Sequence, residues 1–489
     1  MNLSCTRPLG DATTILDICD RDEQDDYLFP LTTNKTWFTN DFERRVLPFS
    51  PIVQEFPFRG DATFGSHFQF EVGSVKACDL LLGVMLQVRL RHWLPESIRD
   101  LLRSGKIVYK DPSDAWFYAN SMGTILVKET ELCLEDHTIE KFGSDFTQVF
   151  TNVFSDMNTQ FGIATDALGQ VSLPRLKNWD TRRSFPTEKG WISCILPFSF
   201  QRERLRSSFP LVSVKEGGVR IRFKLRPFHE CVRSARGVRQ SIYETPLGKT
   251  FTFTDLRGGD NPPEFSYTVP QNTSVQFDSV RLVTYGVVVD GEFRKALMHK
   301  PFDRLYRDVQ TFVFDEPKTY VLIPGENNQI HVQVPLECNG PIEEILWIVR
   351  RKGVETNNEW VNYSSVLESE YDPVFNPLDS LLVSSAIQID GKTIVDEKEE
   401  YFRHCLAKAH KGGIVGYRRF IYGYSFAKHP GEHNPSGWFN SSRTTDVRMR
   451  FTIQPPGGIG DVDWEIVVFA IGMNWVRFES GIANRVYNS

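Results

Sequence analysis

Apolar and polar residues alternate along much of this chain with a period of two. Phe68-Gln69-Phe70-Glu71-Val72 is one such run, and Val84 to Leu90 alternates in part. Val219 to Leu225 alternates throughout, with Arg220, Arg222 and Lys224 on one face and apolar residues on the other. Successive side chains of a strand point to opposite faces, so these runs predict half-buried β-strands. Helical periodicity is scarce. Leu94–Leu102, with Pro95 near its first turn, predicts one helix. Asp145–Val153 and Glu399–Ala409 predict two short ones. Many short strands with Gly and Pro between them predict an all-β sandwich or barrel.

The pattern occurs twice. Leu132-Cys133-Leu134-Glu135-Asp136-His137-Thr138-Ile139 is matched by Ile387-Gln388-Ile389-Asp390-Gly391-Lys392-Thr393-Ile394, at an offset of 255 (387 minus 132). At the same offset Phe146 falls on Tyr401, and the two predicted helices fall on each other. A second match pairs Val219–Leu225 with Val447–Ile453, and Ser279–Val288 and Glu465–Asn474 read as the closing strands of each copy. Two copies of one β-rich unit suit a jelly roll, in which two four-stranded sheets pack face to face and variation collects in the loops. The predicted fold is therefore all-β: two tandem eight-stranded jelly rolls with long loop insertions and a few short helices. The expected division is an N-terminal arm at 1–40, a first unit at 41–290, a helical connector at 291–308 and a second unit at 309–489. Residues 232–273, rich in Arg, Gly, Asp and Pro, are expected as an exposed loop inserted before the last strand of the first unit.

Bulk properties narrow the function. A chain of 489 residues exceeds what one core usually fills, which agrees with two units. Aromatics reach 13%, with 37 Phe, as broad sheet cores and buried interfaces use. The net charge of −6 carries no electrostatic footprint for nucleic acid. Met1 to Asp20 has no continuous apolar core of a secretory signal, and the longest apolar stretches are too short to span a bilayer as a helix, so a cytosolic protein is expected. The eight cysteines are scattered without a C-x-x-C pair, and several sit in apolar strands and read as small buried hydrophobes. The sequons at Asn2, Asn34, Asn272, Asn362 and Asn440 are then expected to be unused.

The candidate chemistry is thin. His429-Pro430-Gly431-Glu432-His433 fits the letters of an inverted zinc-protease motif, but that motif needs a helix and Pro430-Gly431 opposes one. Pro456–Asp461 is glycine-rich but opens no helix, so it is a turn and not a phosphate cradle. Glu129 and Glu131 read as the wet face of a strand. No Gly-x-Ser-x-Gly element supports a serine nucleophile. Arginines 202, 204, 206, 220, 222, 226, 233, 236 and 239 crowd one region and are expected to line contacts between subunits, where planar forks pair with carboxylates. No catalytic, cofactor-binding or metal-binding residue is assigned.

Several stretches resemble the major capsid proteins of nucleocytoplasmic large DNA viruses. They are Ile421-Tyr422-Gly423-Tyr424-Ser425-Phe426, the turn Asn434-Pro435-Ser436-Gly437, and Asn440-Ser441-Ser442-Arg443. Pro341–Arg351 is similar to a further strand of that family, with Glu343 where the family has a basic residue and Arg350 where it has Gln. In the first unit Tyr118–Gly123, Leu132–Ile139, Leu196–Phe200 and Asp290–Arg294 are similar to family landmarks in the same order. The resemblance covers about residues 45 to 489. It implies a structural, non-enzymatic double jelly-roll protein that forms homotrimeric, pseudo-hexagonal capsomers in an icosahedral virion. Implied partners are neighbouring capsomers, minor capsid and penton proteins and proteins of an inner membrane, with assembly in the host cytoplasm. Pro435, Ser436, Gly437, Asn440 and Ser442 are expected to shape a structural turn. The alternatives are a jelly-roll scaffold of immature virions, separated by its presence in mature particles, and a glycan-binding or cupin-like jelly roll, separated by bound metal.

Overall fold

The computed structural model describes residues 48–487 except 136, 155–190, 203–207, 216–217, 235–243, 260, 272–275, 316–328, 353, 355–356, 368–373, 375–377, 411–419, 433 and 455–462, and the side chains of 406–409. Sixteen strands build two units. The first contains β1 (Phe49–Pro57), β2 (His67–Glu71), β3 (Leu80–Arg89), β4 (Val127–Leu134), β5 (His137–Gly143), β6 (Trp191–Ile195), β7 (Val219–Leu225) and β8 (Ser279–Val289). The second contains β9 (Phe302–Asp315), β10 (Ile330–Pro335), β11 (Pro341–Arg351), β12 (Leu382–Ile389), β13 (Lys392–Lys398), β14 (Ile421–Ser425), β15 (Val447–Ile453) and β16 (Trp464–Glu479). In the first unit the sheets run β1-β8-β3-β6 and β2-β7-β4-β5, and in the second β9-β16-β11-β14 and β10-β15-β12-β13. Adding eight to every strand of the first unit gives the second, so the two share one jelly-roll topology.

The repeated sequence controls local geometry in both copies. The β4–β5 and β12–β13 hairpins each carry a register shift at the same place, between Leu132 and Cys133 and between Ile387 and Gln388. Asp390 and Gly391 turn the second hairpin with φ of 48° and 76°, the left-handed pair that matches strand twist. A helix follows each hairpin: α2 (Ser144–Val153) in the first unit and α4 (Glu399–Ala409) in the second, after α1 (Glu96–Arg103) and α3 (Gly291–His299) earlier in each sequence stretch.

Apolar faces of paired sheets meet in each core. In the second unit Trp347 of β11 lies against Phe402 of α4 at 5.0 Å and against Phe451 of β15 at 6.4 Å between ring centroids. In the first, Phe58, Phe68, Phe70 and Phe223 interlock across the sandwich. β7 shows the predicted alternation of buried and half-buried positions. By contrast, β11 is buried at every residue and β16 from Trp464 to Val476, because both faces of that sheet are covered. One glycine is demanded by packing: a Cβ on Gly286 of β8 would collide with Cys78 Sγ and lie 2.6 Å from the Leu80 carbonyl.

Two expectations need correction. The connector at 291–308 is helical only over α3, since residues 302–308 already belong to β9, which pairs with β16 from Phe302 onward. Asp290 Oδ2 caps α3 by accepting from Glu292 N at 3.1 Å. The insert at 232–273 is not simply an exposed loop. Val232–Ser234 pairs with Trp116–Tyr118, and a Thr250–Asp255/Glu264–Thr268 hairpin pairs with Ile107–Tyr109. Phe251 and Phe253 are buried there. The alternation Thr250-Phe251-Thr252-Phe253-Thr254 carried this signal, but the Gly- and Pro-rich flanks obscured it.

Candidate functional site: the seam between the two units

A sheet strand that is apolar on both faces must be covered twice, and the first unit supplies the second cover for β9, β11 and β16. Phe146 of α2 is fully buried and meets Phe469 of β16 at 5.5 Å. α2 is buried at every residue except the half-buried Asp145, and buried polar groups fix its position. Ser121, itself in a left-handed conformation, and Thr124 both donate to Gln148 Oε1, at 3.1 and 2.8 Å. The Tyr306 hydroxyl of β9 donates to the Ile139 carbonyl of β5 at 3.5 Å.

Charged groups cross the same seam, and most are buried. Arg350 of β11 donates to Asp145 Oδ1 of α2 at 2.8 Å and also pairs with Glu465 of β16. Burial disfavours the Arg350 cation, but Asp145 and Glu465 outweigh that and hold it charged. Arg307 pairs with Glu343 and with the Glu432 carbonyl, and its own carbonyl accepts from Arg202 Nη2 at 2.6 Å. Arg202 lies 3.8 Å from Glu140, whose carboxylate accepts from Ser199 N at 2.9 Å. Burial pushes Glu140 up to about 7 despite the nearby Arg202. Arg226 bonds Glu230 at 2.9 Å and stacks 3.9 Å over the Trp360 ring, while Arg233 reaches Glu359 at 3.5 Å. Trp360 Nε1 in turn donates to the Glu230 carbonyl at 2.9 Å. Charges withdrawn from water this way are costly unless paired; Arg350–Asp145 and Arg233–Glu359 cross between the units and fix their relative placement, while the other pairs hold the facing surfaces within each unit.

This corrects the expectation for the arginine-rich region. Arg202 through the Arg307 carbonyl, Arg226 through the Trp360 ring and Arg233 through Glu359 join the two units of one chain, and Arg220 and Arg222 lie on the outer face of β7. Arg204, Arg206, Arg236 and Arg239 lie outside the described residues. On that outer face Lys141 bridges Glu129 and Glu131 at 3.0 and 3.1 Å. A cavity of about 400 Å³ lined by His67, Gln69, Glu129, Glu131, Arg222 and Lys224 opens there.

The turn residues lie together beside β11. Ser436 Oγ accepts from His429 N at 2.8 Å, and Asn440 Oδ1 accepts from Ser442 N at 3.1 Å, capping a single helical turn. Ser442 Oγ accepts from Gly340 N at 2.8 Å, which ties that turn to the start of β11. Pro435 is buried. Gly437 has φ of 152°, and a Cβ there would lie 2.6 Å from the Phe426 carbonyl. His433 and residues 456–461 lie outside the described residues, as do the arm at 1–40, Cys5 and Cys19. Among the described residues no cluster of His, Cys, Asp or Glu is arranged to hold a metal, and no helix is long and apolar enough to cross a membrane. Cys78, Cys133, Cys194, Cys231 and Cys338 are buried thiols, with Cys194 pushed up to about 12 by burial.

Two family models match the chain in succession. That for the major capsid protein N-terminus covers residues 36–247, and that for the large eukaryotic DNA virus major capsid protein covers residues 295–484. The chain belongs to this major capsid protein family. Its members are structural proteins of the virus particle, and this chain is one of them. No curated protein matches it. Among solved structures it is similar to the PBCV-1 virus capsid, at 15% identity and a TM-score of 0.62 over 92% of this chain and 100% of that one. It is also similar to the Faustovirus major capsid protein (12%, TM-score 0.57, 90% and 92% covered). A chain of the Sputnik virophage structure gives 8%, 0.52, 94% and 92%. Identities this low speak for the fold, and the fold they share is the double jelly roll.

The seam explains two departures of this capsid protein from its family pattern. Glu343, in place of a basic residue, is the buried partner of Arg307. Arg350, in place of Gln, is the cation between Asp145 and Glu465. Sequence reading found both positions as departures but missed Arg307, Glu140, Asp145 and Glu359. Their partners are distant in sequence, so no local pattern marks them.

Proposed function

We propose that this chain is the building block of the outer shell of a large DNA virus, acting as a homotrimeric, pseudo-hexagonal capsomer without catalytic activity. The observation that carries the reading is the pair of jelly rolls of identical strand order, fixed rigidly against each other by a buried seam. Three such chains present six similar units, which approximates sixfold packing while requiring only threefold symmetry. The arm at 1–40 acts as a tether between subunits. Pro435, Ser436, Gly437, Asn440 and Ser442 hold the strand-connecting turn that sets the start of β11. Neighbouring capsomers, minor capsid and penton proteins and proteins of an inner membrane are the partners, nucleic acid is not contacted directly, and assembly takes place in the host cytoplasm.

Size exclusion coupled to light scattering tests this reading. Three chains of 56.2 kDa make a particle of about 169 kDa by multiplication, with a six-sided outline in electron micrographs. A protein that stays monomeric at all concentrations overturns the capsomer, and absence from purified mature particles would turn the reading to a scaffold that is shed.

A further inference from the structure

Helix α3, which joins the two units, has no buried residue. It is held along one side only. Arg294 Nε lies 3.3 Å from Asp79, and Ser213 Oγ donates to the Leu297 carbonyl at 2.9 Å. Val212 N donates to the Asp79 carbonyl at 3.1 Å, so α3, the turn at 73–79 and the single helical turn Leu211–Ser213 lie side by side. Exposed lysines gather there: Lys295 and Lys300 toward the end of α3, Lys76 from the first turn and Lys215 just beyond the second. None of the four forms an ion pair among the described residues. Elsewhere Lys110, Lys141, Lys249 and Lys352 each pair with a carboxylate. Met298 and Val75 add apolar surface to the patch, at 44% and 76% exposed. The helix dipole favours cations at the end of α3, but it gives no reason for Lys76 and Lys215.

The chain itself carries a segment of opposite charge that joins the fold next to this patch. Phe49 opens β1 opposite Val289 of β8, and α3 begins two residues after Val289. The N-terminal arm therefore enters beside the start of α3. Along the arm lie Asp20, Asp22, Glu23, Asp25 and Asp26, with only Arg21 of the other sign among them. Apolar residues flank this run, Ile15, Leu16 and Ile18 before it and Tyr27, Leu28 and Phe29 after it. Residues 27–48 separate the run from β1, and 22 residues span up to about 75 Å when extended. α3 is only about 14 Å long, so the lysine patch lies within reach.

We propose that residues 20–26 dock on α3 of the same chain. Their carboxylates pair with Lys295, Lys300, Lys76 and Lys215, and the flanking apolar residues cover Met298 and Val75. Linkage through the chain favours this occupant over a separate acidic partner, because it holds the run near α3 at an effective concentration in about the millimolar range. Docking covers a helix that both units leave open, and it gives the tether assigned to the arm a fixed starting point. Only that tether role rests on the capsomer reading; the contact itself lies within one chain and is tested apart from trimer formation.

The test follows trypsin cleavage after Arg21 in the full chain, under single-cut conditions and read by mass spectrometry, with circular dichroism to check that each variant folds. Docking shields Arg21. Lys295→Glu combined with Lys300→Glu should speed this cut by about tenfold or more, since like charges then face the run. Salt at about 1 M, which shortens the screening length to about 3 Å, should bring wild type close to the rate of that variant. Lys106→Glu combined with Lys398→Glu, exposed lysines on other elements, should be cut like wild type. Carbodiimide coupling, which joins touching carboxylates and amines, should link residues 20–26 to Lys76 or Lys215 within the single-chain band of a denaturing gel. An α3 variant cut at the wild-type rate overturns the docking. A control pair cut as fast as the α3 variant does so too, because net charge alone would then be at work. Links confined to the two-chain band overturn the same-chain assignment and put the arm on a neighbour.

Discussion

Arg350→Gln, which restores the family's usual residue, should cost this protein about 3–5 kcal/mol. The magnitude follows from what the side chain leaves behind. Arg350 and Glu465 are both nearly buried, with side-chain exposures of 6% and 8%, while Asp145 retains 23%. Gln cannot reach both carboxylates or supply charge. Glu465 would then be a buried anion without a cation, and Asp145, wetter, would add less. Replacing both residues, as Arg350→Leu with Glu465→Leu, removes the pair without orphaning either member and should cost much less than the single change. Unfolding would be followed by calorimetry and tryptophan fluorescence at one fixed protein concentration, because assembly shifts apparent stability. A single variant within about 0.5 kcal/mol of wild type at neutral pH refutes the reasoning. So does a double variant as damaged as the single one.

Further predictions rest on other features. Gly437→Val should lower the yield of folded protein sharply, since a Cβ there meets the Phe426 carbonyl and Ala427 Cα from two sides; wild-type yield and assembly would count against the role given to this turn. Gly286→Ala should destabilise by about 1–3 kcal/mol or more through its clash with Cys78 and Leu80, read as a lowered melting temperature. Glu140 is held near 7 in the fold against an ordinary 4.5, so its contribution is fully present below pH 4.5 and declines as the pH rises to about 7. The stability of Glu140→Gln relative to wild type should thus rise by about 3 kcal/mol between those limits, and a flat difference would contradict the assignment. Peptide mapping should find Asn362 and Asn440 unmodified, because both are buried and bonded within the fold.

The sequence by itself determined the architecture to a large extent. The match of Leu132–Ile139 to Ile387–Ile394 marked the β4–β5 and β12–β13 hairpins, and the same offset superposes α2 on α4. The two units share one strand order, as the repeat implied, and in each matched segment the alternation fixes which face is buried. The repeated segment also contains the Asp390-Gly391 turn. The seam was not legible. β16 and β11 are continuous apolar runs, and periodicity cannot tell which unit covers which face of such a strand. Arg350, Glu343 and Arg202 looked like surface or family variation because their partners lie far along the chain. Only the tertiary structure brought Asp145 to Arg350 and Phe146 to Phe469. Only it left Glu400 and Tyr401, their counterparts in the repeat, open to solvent. The physical reason is that hydrophobic patterning is local and specifies elements. Pairing buried charges depends on distances of a few ångströms between elements, and only the packed chain sets those.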